Sequence, residues 1–404
     1  MKEVKIGLIK EGKFPVDRRV PLIPEQARKI HELHPDVTVF CQKSDIRCFE
    51  DHEYEKNGIT LTDDISGCDI LLGVKEVPIN ELIANKTYFF FSHTIKKQEY
   101  NRDLLRAILE KNICLIDYEC LTDLSGRRLI AFGRYAGIVG AYNGILTFGK
   151  RYNLFNLKRA KDCFDLEELK SEYGKVKLPK IKIVLTGGGR VAKGAMEVLN
   201  GMDIRRVSPE ALLKERFDGP VYTQLNARDY NTRKDEKPFT RSEFYQKPED
   251  YRSEFLPFTK VADLLIAGAF WDPRAPVLFT REDILKRDFE IKVVADITCD
   301  IEGSVPSTKK PATIDDPVYD YNPSEDKIET ALSDEANITV MAVDNLPGEL
   351  PRDASRDFGH ELVNHVLPHL LYEDKADIIK RATITKDGKL TDTYAYLQDF
   401  VDGK

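Results

Sequence analysis

No stretch of this chain approaches the roughly 18 consecutive apolar residues that a membrane-crossing helix needs. An apolar leader is missing too, because residues 4–9 already read as a strand, so neither export nor membrane insertion is expected and a cytoplasmic protein is. The seven cysteines are scattered, odd in number and never spaced C-x-x-C, which excludes a disulfide framework or a zinc ribbon and reads as reduced thiols. Basic residues do not predominate: 61 Lys and Arg stand against 68 Asp and Glu, a net charge of −7, which argues against a general nucleic-acid surface. His360, His365 and His369 have no acid or cysteine at metal-ligand spacing, so no metal centre is expected. Internal repeats are absent.

What is there suits a soluble globular protein. With 404 residues, 42% hydrophobic and 32% charged, the chain can fill two domains with substantial cores. Up to about residue 135, strand and helix patterns alternate, as in an α/β fold with a largely parallel sheet. Strands are predicted at 4–9, 37–41, 70–74, 88–92 and 113–118. Several of them end on ionisable residues: Lys10 and Glu11, Lys75 and Glu76, His93, and Glu119. In an open parallel sheet the carboxyl ends share one edge, where ligands bind. Taken singly, Lys75 with Glu76 reads as an exposed pair and His93 as a histidine satisfied by backbone; together they point to one site.

Residues 181–207 carry the second signal. The apolar residues Ile181, Ile183, Val184 and Leu185 run into Gly187, Gly188 and Gly189, and Val191, Ala195, Val198 and Leu199 then repeat at helical spacing up to Gly201. A further strand is predicted at 204–207. Gly187, Gly189 and Ala192 fit the G-x-G-x-x-A dinucleotide fingerprint in its strand, turn and helix setting, where a pyrophosphate can approach the backbone closely. The alternative is a glycine turn that packs a helix on a sheet and holds no ligand. Where NAD-binding folds place an acid at the end of the second strand, this chain has Ser208, preceded by Arg205 and Arg206 and followed by Glu210. That favours NADP(H) over NAD(H), unless both arginines are solvated and Glu210 reaches the ribose.

Later strands are predicted at 262–267, 291–295 and 338–343, the last ending at Asp344 and Asn345. A helix is predicted at 355–371, with Phe358, Leu362, Val366 and Leu370 repeating every four residues as core packing. Between the lobes, residues 126–150 turn from paired arginines into a helix of small residues, including Ala136, Gly137, Gly140 and Gly144, that allows close backbone contact. Residues 226–255 interleave aromatics with balanced charges and read as a surface excursion or an interface.

Several phrases together resemble one family: RRVPLIP (18–24), LLGVKEVP (71–78), FFSHTIK (90–96), LIDYE (115–119), GRRLIAFGRYAG (126–137) and VDNLPGELPRDAS (343–355). They are similar to lysine-forming saccharopine dehydrogenases, most closely to the lysine-ketoglutarate reductase half of aminoadipic semialdehyde synthase, and more distantly to alanine dehydrogenase and transhydrogenase. The resemblance implies two Rossmann-like domains with parallel twisted sheets and an active site in the cleft between them. It places residues 1–135 with 342–404 in a substrate domain and residues 136–341 in a dinucleotide-binding domain. It also implies interconversion of saccharopine with L-lysine and 2-oxoglutarate, through an imine that NADP(H) or NAD(H) reduces.

On that resemblance Lys75 and His93 are the proton-transfer pair, Arg19 and Arg128 bind substrate carboxylates, and Glu76 and Glu119 balance the charge. Gly187, Gly188, Gly189, Arg190, Val191, Ser208 and Asp344 are the expected cofactor positions. No second, saccharopine-cleaving domain follows residue 404, so a bifunctional enzyme is not expected. An alanine-dehydrogenase-like activity and a nucleotide sensor without turnover are the competing functions.

Overall fold

The structure is a computed structural model that describes residues 3–404. It divides into two units, Met1–Phe132 with Pro351–Lys404, and Gly133–Leu350.

In the first unit, short runs of branched and aromatic residues form an eight-stranded sheet. Its strands are β1 (Val4–Leu8), β2 (Val37–Gln42), β3 (Thr60–Thr62), β4 (Ile70–Leu72), β5 (Thr87–Phe90) and β6 (Cys114–Asp117), followed from the C-terminal segment by β17 (Thr383–Lys386) and β18 (Lys389–Leu390). The order is β18-β17-β6-β5-β4-β1-β2-β3. From β6 to β3 every pairing is parallel, so the carboxyl ends of β6, β5, β4 and β1 lie side by side on one edge. The sheet is not wholly parallel: β17 runs antiparallel to β6 and β18 antiparallel to β17. Thr385 stitches this edge on, its hydroxyl donating to Ile113 O at 2.7 Å and accepting from Leu115 N at 3.1 Å.

The C-terminal helix stripe packs as expected, with Phe358, Leu362 and Val366 buried against Ile23, Ala27 and Tyr118 in one core. One continuous helix does not form, however: it breaks into Pro351–His365 and Leu367–Leu371. Pro368 lacks the N–H that would continue the ladder and its ring would strike the carbonyl of residue 364, so Val366 leaves helical geometry at φ −121°.

The second unit holds β7 (Lys182–Thr186), β8 (Arg205–Arg206), β9 (Val221–Leu225), the hairpin β10 (Asn231–Arg233) and β11 (Tyr251–Ser253), then β12 (Leu264–Ala267), β13 (Val293–Asp296), β14 (Val318–Asn322), β15 (Lys327–Glu329) and β16 (Ile338–Met341). Its main sheet has the order β15-β14-β16-β13-β12-β7-β9-β8, parallel except for the edge strands β14 and β15. Residues 342–350, placed by sequence with the first unit, belong here: Ala342, Val343 and Leu346 are buried, and Asn143 donates to Glu349 Oε1 at 2.9 Å.

The small-residue helix Gly133–Arg151 packs on the helix Arg190–Gly201 backbone to backbone. A Cβ on Gly137 would overlap Val191 O and one on Gly194 would overlap Arg134 O, so neither position admits a side chain. The segment 226–255 carries the β10–β11 hairpin, with Phe239 and Phe244 each in edge contact with Tyr251. Among the described residues, no helix is long and apolar enough to cross a membrane.

Candidate active site

The strand ends of the first unit bring the predicted residues together. β4 and β5 are neighbours, and Phe91 N donates to Val74 O at 3.0 Å, which sets Lys75 and Glu76 beside the segment carrying His93. His93 sits in the left-handed region at φ 54° and opens a short 3-10 turn, Thr94–Lys96. Asp117, fully buried at the end of β6, holds this bend: Oδ2 accepts from Ser92 N at 2.9 Å and Oδ1 from Glu119 N at 2.7 Å. One carboxyl thus positions both His93 and Glu119.

His93 Nδ1 lies 2.6 Å from Glu76 Oε1, and Lys13 Nζ lies 2.5 Å from Glu76 Oε2. Burial alone would raise the Glu76 carboxyl, but the hydrogen bonds from His93 and Lys13 outweigh it and bring it down to about 2. Glu76 is therefore an anion at any working pH. Lys75 is half-buried and its ammonium makes no hydrogen bond or ion pair among the described residues. Burial, and after it the Arg19 guanidinium, holds Lys75 below the usual lysine value.

The two arginines are placed differently. Arg19 is buried, and its Nε and Nη2 donate to Asp17 Oδ1 at 2.9 Å and Oδ2 at 2.6 Å, with the guanidinium 4.1 Å over the Phe132 ring. That edge of its fork is taken by the protein itself. Burial opposes ionisation of Asp17, yet Arg19 holds its carboxyl well below the ordinary range. Arg128 is exposed and pairs with Glu119, whose Oε2 lies 3.5 Å from Lys96 Nζ. Sequence reasoning had named neither Asp17 nor Lys13; an acid two residues before Arg19 was the available signal.

In the second unit the fingerprint folds as expected up to its second strand. Gly187 has φ +104°, a conformation open to glycine, and a Cβ there would meet Gly268 O at 2.8 Å. A Cβ on Gly189 would meet nothing within 4 Å. The following helix, Arg190–Gly201, has no side-chain cap and no acid in its first turn. Open space over a glycine and an uncapped helix N-terminus fit a dinucleotide pyrophosphate. Arg190 is exposed, Val191 half-buried, and Ala192 buried against the sheet. Asp344 lies exposed three residues beyond β16, on the edge that also carries the ends of β7 and β12.

Ser208 is not where the fingerprint rule put it. The strand beside β7 is β9, and the two-residue β8 is pushed to the sheet edge. Ser208 follows β8, and its hydroxyl caps the helix Pro209–Lys214 by accepting from Ala211 N at 3.1 Å. The strand end beside the glycines instead carries Gln224 and Asn226. Gln224 Nε2 donates to Gly187 O at 2.6 Å, its Oε1 accepts from Arg206 at 2.8 Å, and Asn226 Oδ1 fills the place of a Gly188 Cβ.

Comparison with known proteins agrees with this architecture. Residues 7–139 match the model of the alanine dehydrogenase/PNT N-terminal domain and residues 170–393 that of its C-terminal domain. The chain belongs to the alanine dehydrogenase/PNT family. Within it, the mouse mitochondrial alpha-aminoadipic semialdehyde synthase is 32% identical over 95% of this chain and 46% of that protein. The chain thus spans about half the length of these curated relatives. A saccharopine dehydrogenase [NAD(+), L-lysine-forming] of Yarrowia lipolytica is 27% identical over 94% of this chain and 95% of that one. An L-alanine dehydrogenase structure superposes with a TM-score of 0.64 at 17% identity, covering 99% of both chains, and so shares the two-domain fold of the alanine dehydrogenase/PNT family.

Proposed function

We propose that this chain is an NAD(P)-dependent oxidoreductase that interconverts saccharopine with L-lysine and 2-oxoglutarate. The observation that carries the reading is Lys75: a half-buried lysine without an ion pair among the described residues, held below its ordinary value, in the loop after β4 beside a histidine fixed by a carboxylate. The names of the relatives supply the substrate class.

Joining the ε-amine of lysine to a keto carbon requires a proton to leave the amine, another to reach the carbinolamine oxygen, and a water to depart. Lys75, which loses its proton more readily than an ordinary lysine, serves as the base toward the amine. His93 is held through Nδ1 by Glu76, which leaves Nε2 for exchange with the carbinolamine oxygen. Arg19 and Arg128 offer cations to the carboxylates of 2-oxoglutarate. Gly187, Gly188, Gly189, Arg190 and Val191 would hold the pyrophosphate of the nucleotide, with Asp344 on the same strand edge. When bound, NAD(P)H supplies the hydride that reduces the imine.

One assay decides. NAD(P)H oxidation is followed with 2-oxoglutarate plus lysine and, separately, with pyruvate plus ammonia. Turnover with the first pair supports the reading; turnover with the second alone, or with neither, defeats it.

A further inference from the structure

We propose that Glu11 is a positioning residue for Lys75, gripping with a single carboxyl group the backbone turn that carries the lysine. The inference rests on Lys75 acting in proton transfer. Glu11 lies three residues beyond β1 and Lys75 three residues beyond β4, and these two strands are parallel neighbours. Glu11 Oε1 accepts from Val74 N at 2.7 Å and Oε2 from Lys75 N at 2.9 Å. Two successive backbone N–H groups aimed at one acceptor pair make a small concave nest, which a regular strand does not present. The carboxyl bridges the ends of two strands and defines where the chain turns at Lys75.

The surroundings enclose this group closely. Glu11 is only 8% exposed. Gly73 presses the turn onto the first strand's continuation, since a Cβ there would meet Ile9 Cδ1 at 2.6 Å and stand 3.5 Å from Glu11 Oε1. The Tyr118 hydroxyl, also buried, has no hydrogen-bond partner among the described residues and lies within electrostatic reach of Glu11. Burial pushes the Glu11 carboxyl up to about 8, against the pull of the Val74 and Lys75 amides. Both oxygens are committed to backbone amides, so Glu11 acts through Lys75.

The test compares wild type with Glu11→Gln, whose amide accepts at one of the two positions and sets an NH2 against the other N–H. Lys75 acetylation by acetic anhydride is read by peptide mass spectrometry relative to exposed Lys29, alongside kcat, KM and NADPH affinity by fluorescence. A loosened turn exposes the lysine, so Lys75 labelling should rise at least about threefold and kcat fall about ten- to hundredfold, with KM and nucleotide affinity within about twofold. A folded Glu11→Gln with wild-type labelling and wild-type kcat overturns the proposal. Should that variant not fold, Glu11→Asp, too short to reach both amides, carries the same readouts. Labelling needs no turnover: if wild type fails to use lysine and 2-oxoglutarate, the substrate reading falls while the labelling ratio still decides the grip of Glu11.

Discussion

Glu76 is held from both sides, by His93 Nδ1 at 2.6 Å on one oxygen and Lys13 Nζ at 2.5 Å on the other. The neighbouring Lys75 makes no direct ion pair among the described residues. Two adjacent residues of one loop are thus set to opposite tasks, a fixed anion and a lysine that gives up its proton early.

If this division serves proton transfer, replacing either transferring group removes a general acid or base worth about 10²-fold or more. Lys75→Met and His93→Gln are each expected to lower kcat by about that factor. NADPH affinity, measured by fluorescence, should stay within about twofold, because neither residue belongs to the unit that carries the glycine turn. Wild-type kcat in either variant would remove that residue from the chemistry.

The Glu76 anion also carries a pH signature. Its carboxyl is lowered in the folded protein to about 2 from an ordinary 4.5, so its contribution is fully present above about pH 4.5 and is lost as pH falls towards 2. The shift corresponds to about 3 kcal/mol. Urea midpoints for wild type and Glu76→Gln should differ at pH 6 and converge as pH drops towards 2. Parallel curves across that range would show that Glu76 is not held as the geometry indicates.

Much of this arrangement could be read from residue order, for a physical reason. Apolar strands ending in Lys75, His93 and Glu119 carry a local pattern, and a parallel sheet then delivers their ends to one edge. The break at Val366 was announced by Pro368, and the four-residue repeat masked it. Pairings between distant segments carried no such mark. Nothing local says that β9 inserts between β7 and β8, that the C-terminal strand β17 joins β6, or that Asp17 fills one edge of the Arg19 fork. Those depend on which long-range partner fits, and no periodicity records that.

The displaced Ser208 yields a prediction that separates capping from ligand binding. Its hydroxyl accepts from Ala211 N at 3.1 Å at the start of Pro209–Lys214, behind an edge strand. Ser208→Ala should therefore cost about 1 kcal/mol of stability, the usual price of an N-cap. NADH and NADPH affinities should each stay within about twofold. A selective loss of NADPH binding would return Ser208 to the nucleotide site.

The glycine turn provides the sharpest contrast, because two of its residues are glycine for different reasons. Gly187 has φ +104° and would drive a Cβ to 2.8 Å from Gly268 O, so Gly187→Ala should destabilise the fold by more than about 1 kcal/mol. Gly189 has an ordinary φ and nothing within 4 Å of its Cβ position, so Gly189→Ala should leave the melting temperature unchanged. What it should lose is nucleotide affinity, since the methyl group occupies the space through which a pyrophosphate reaches the N-terminus of Arg190–Gly201. Calorimetric titration with NADPH should show at least about tenfold weaker binding for a fully folded Gly189→Ala. Unchanged affinity in that variant would mean that the open space above Gly189 is not where the dinucleotide lies.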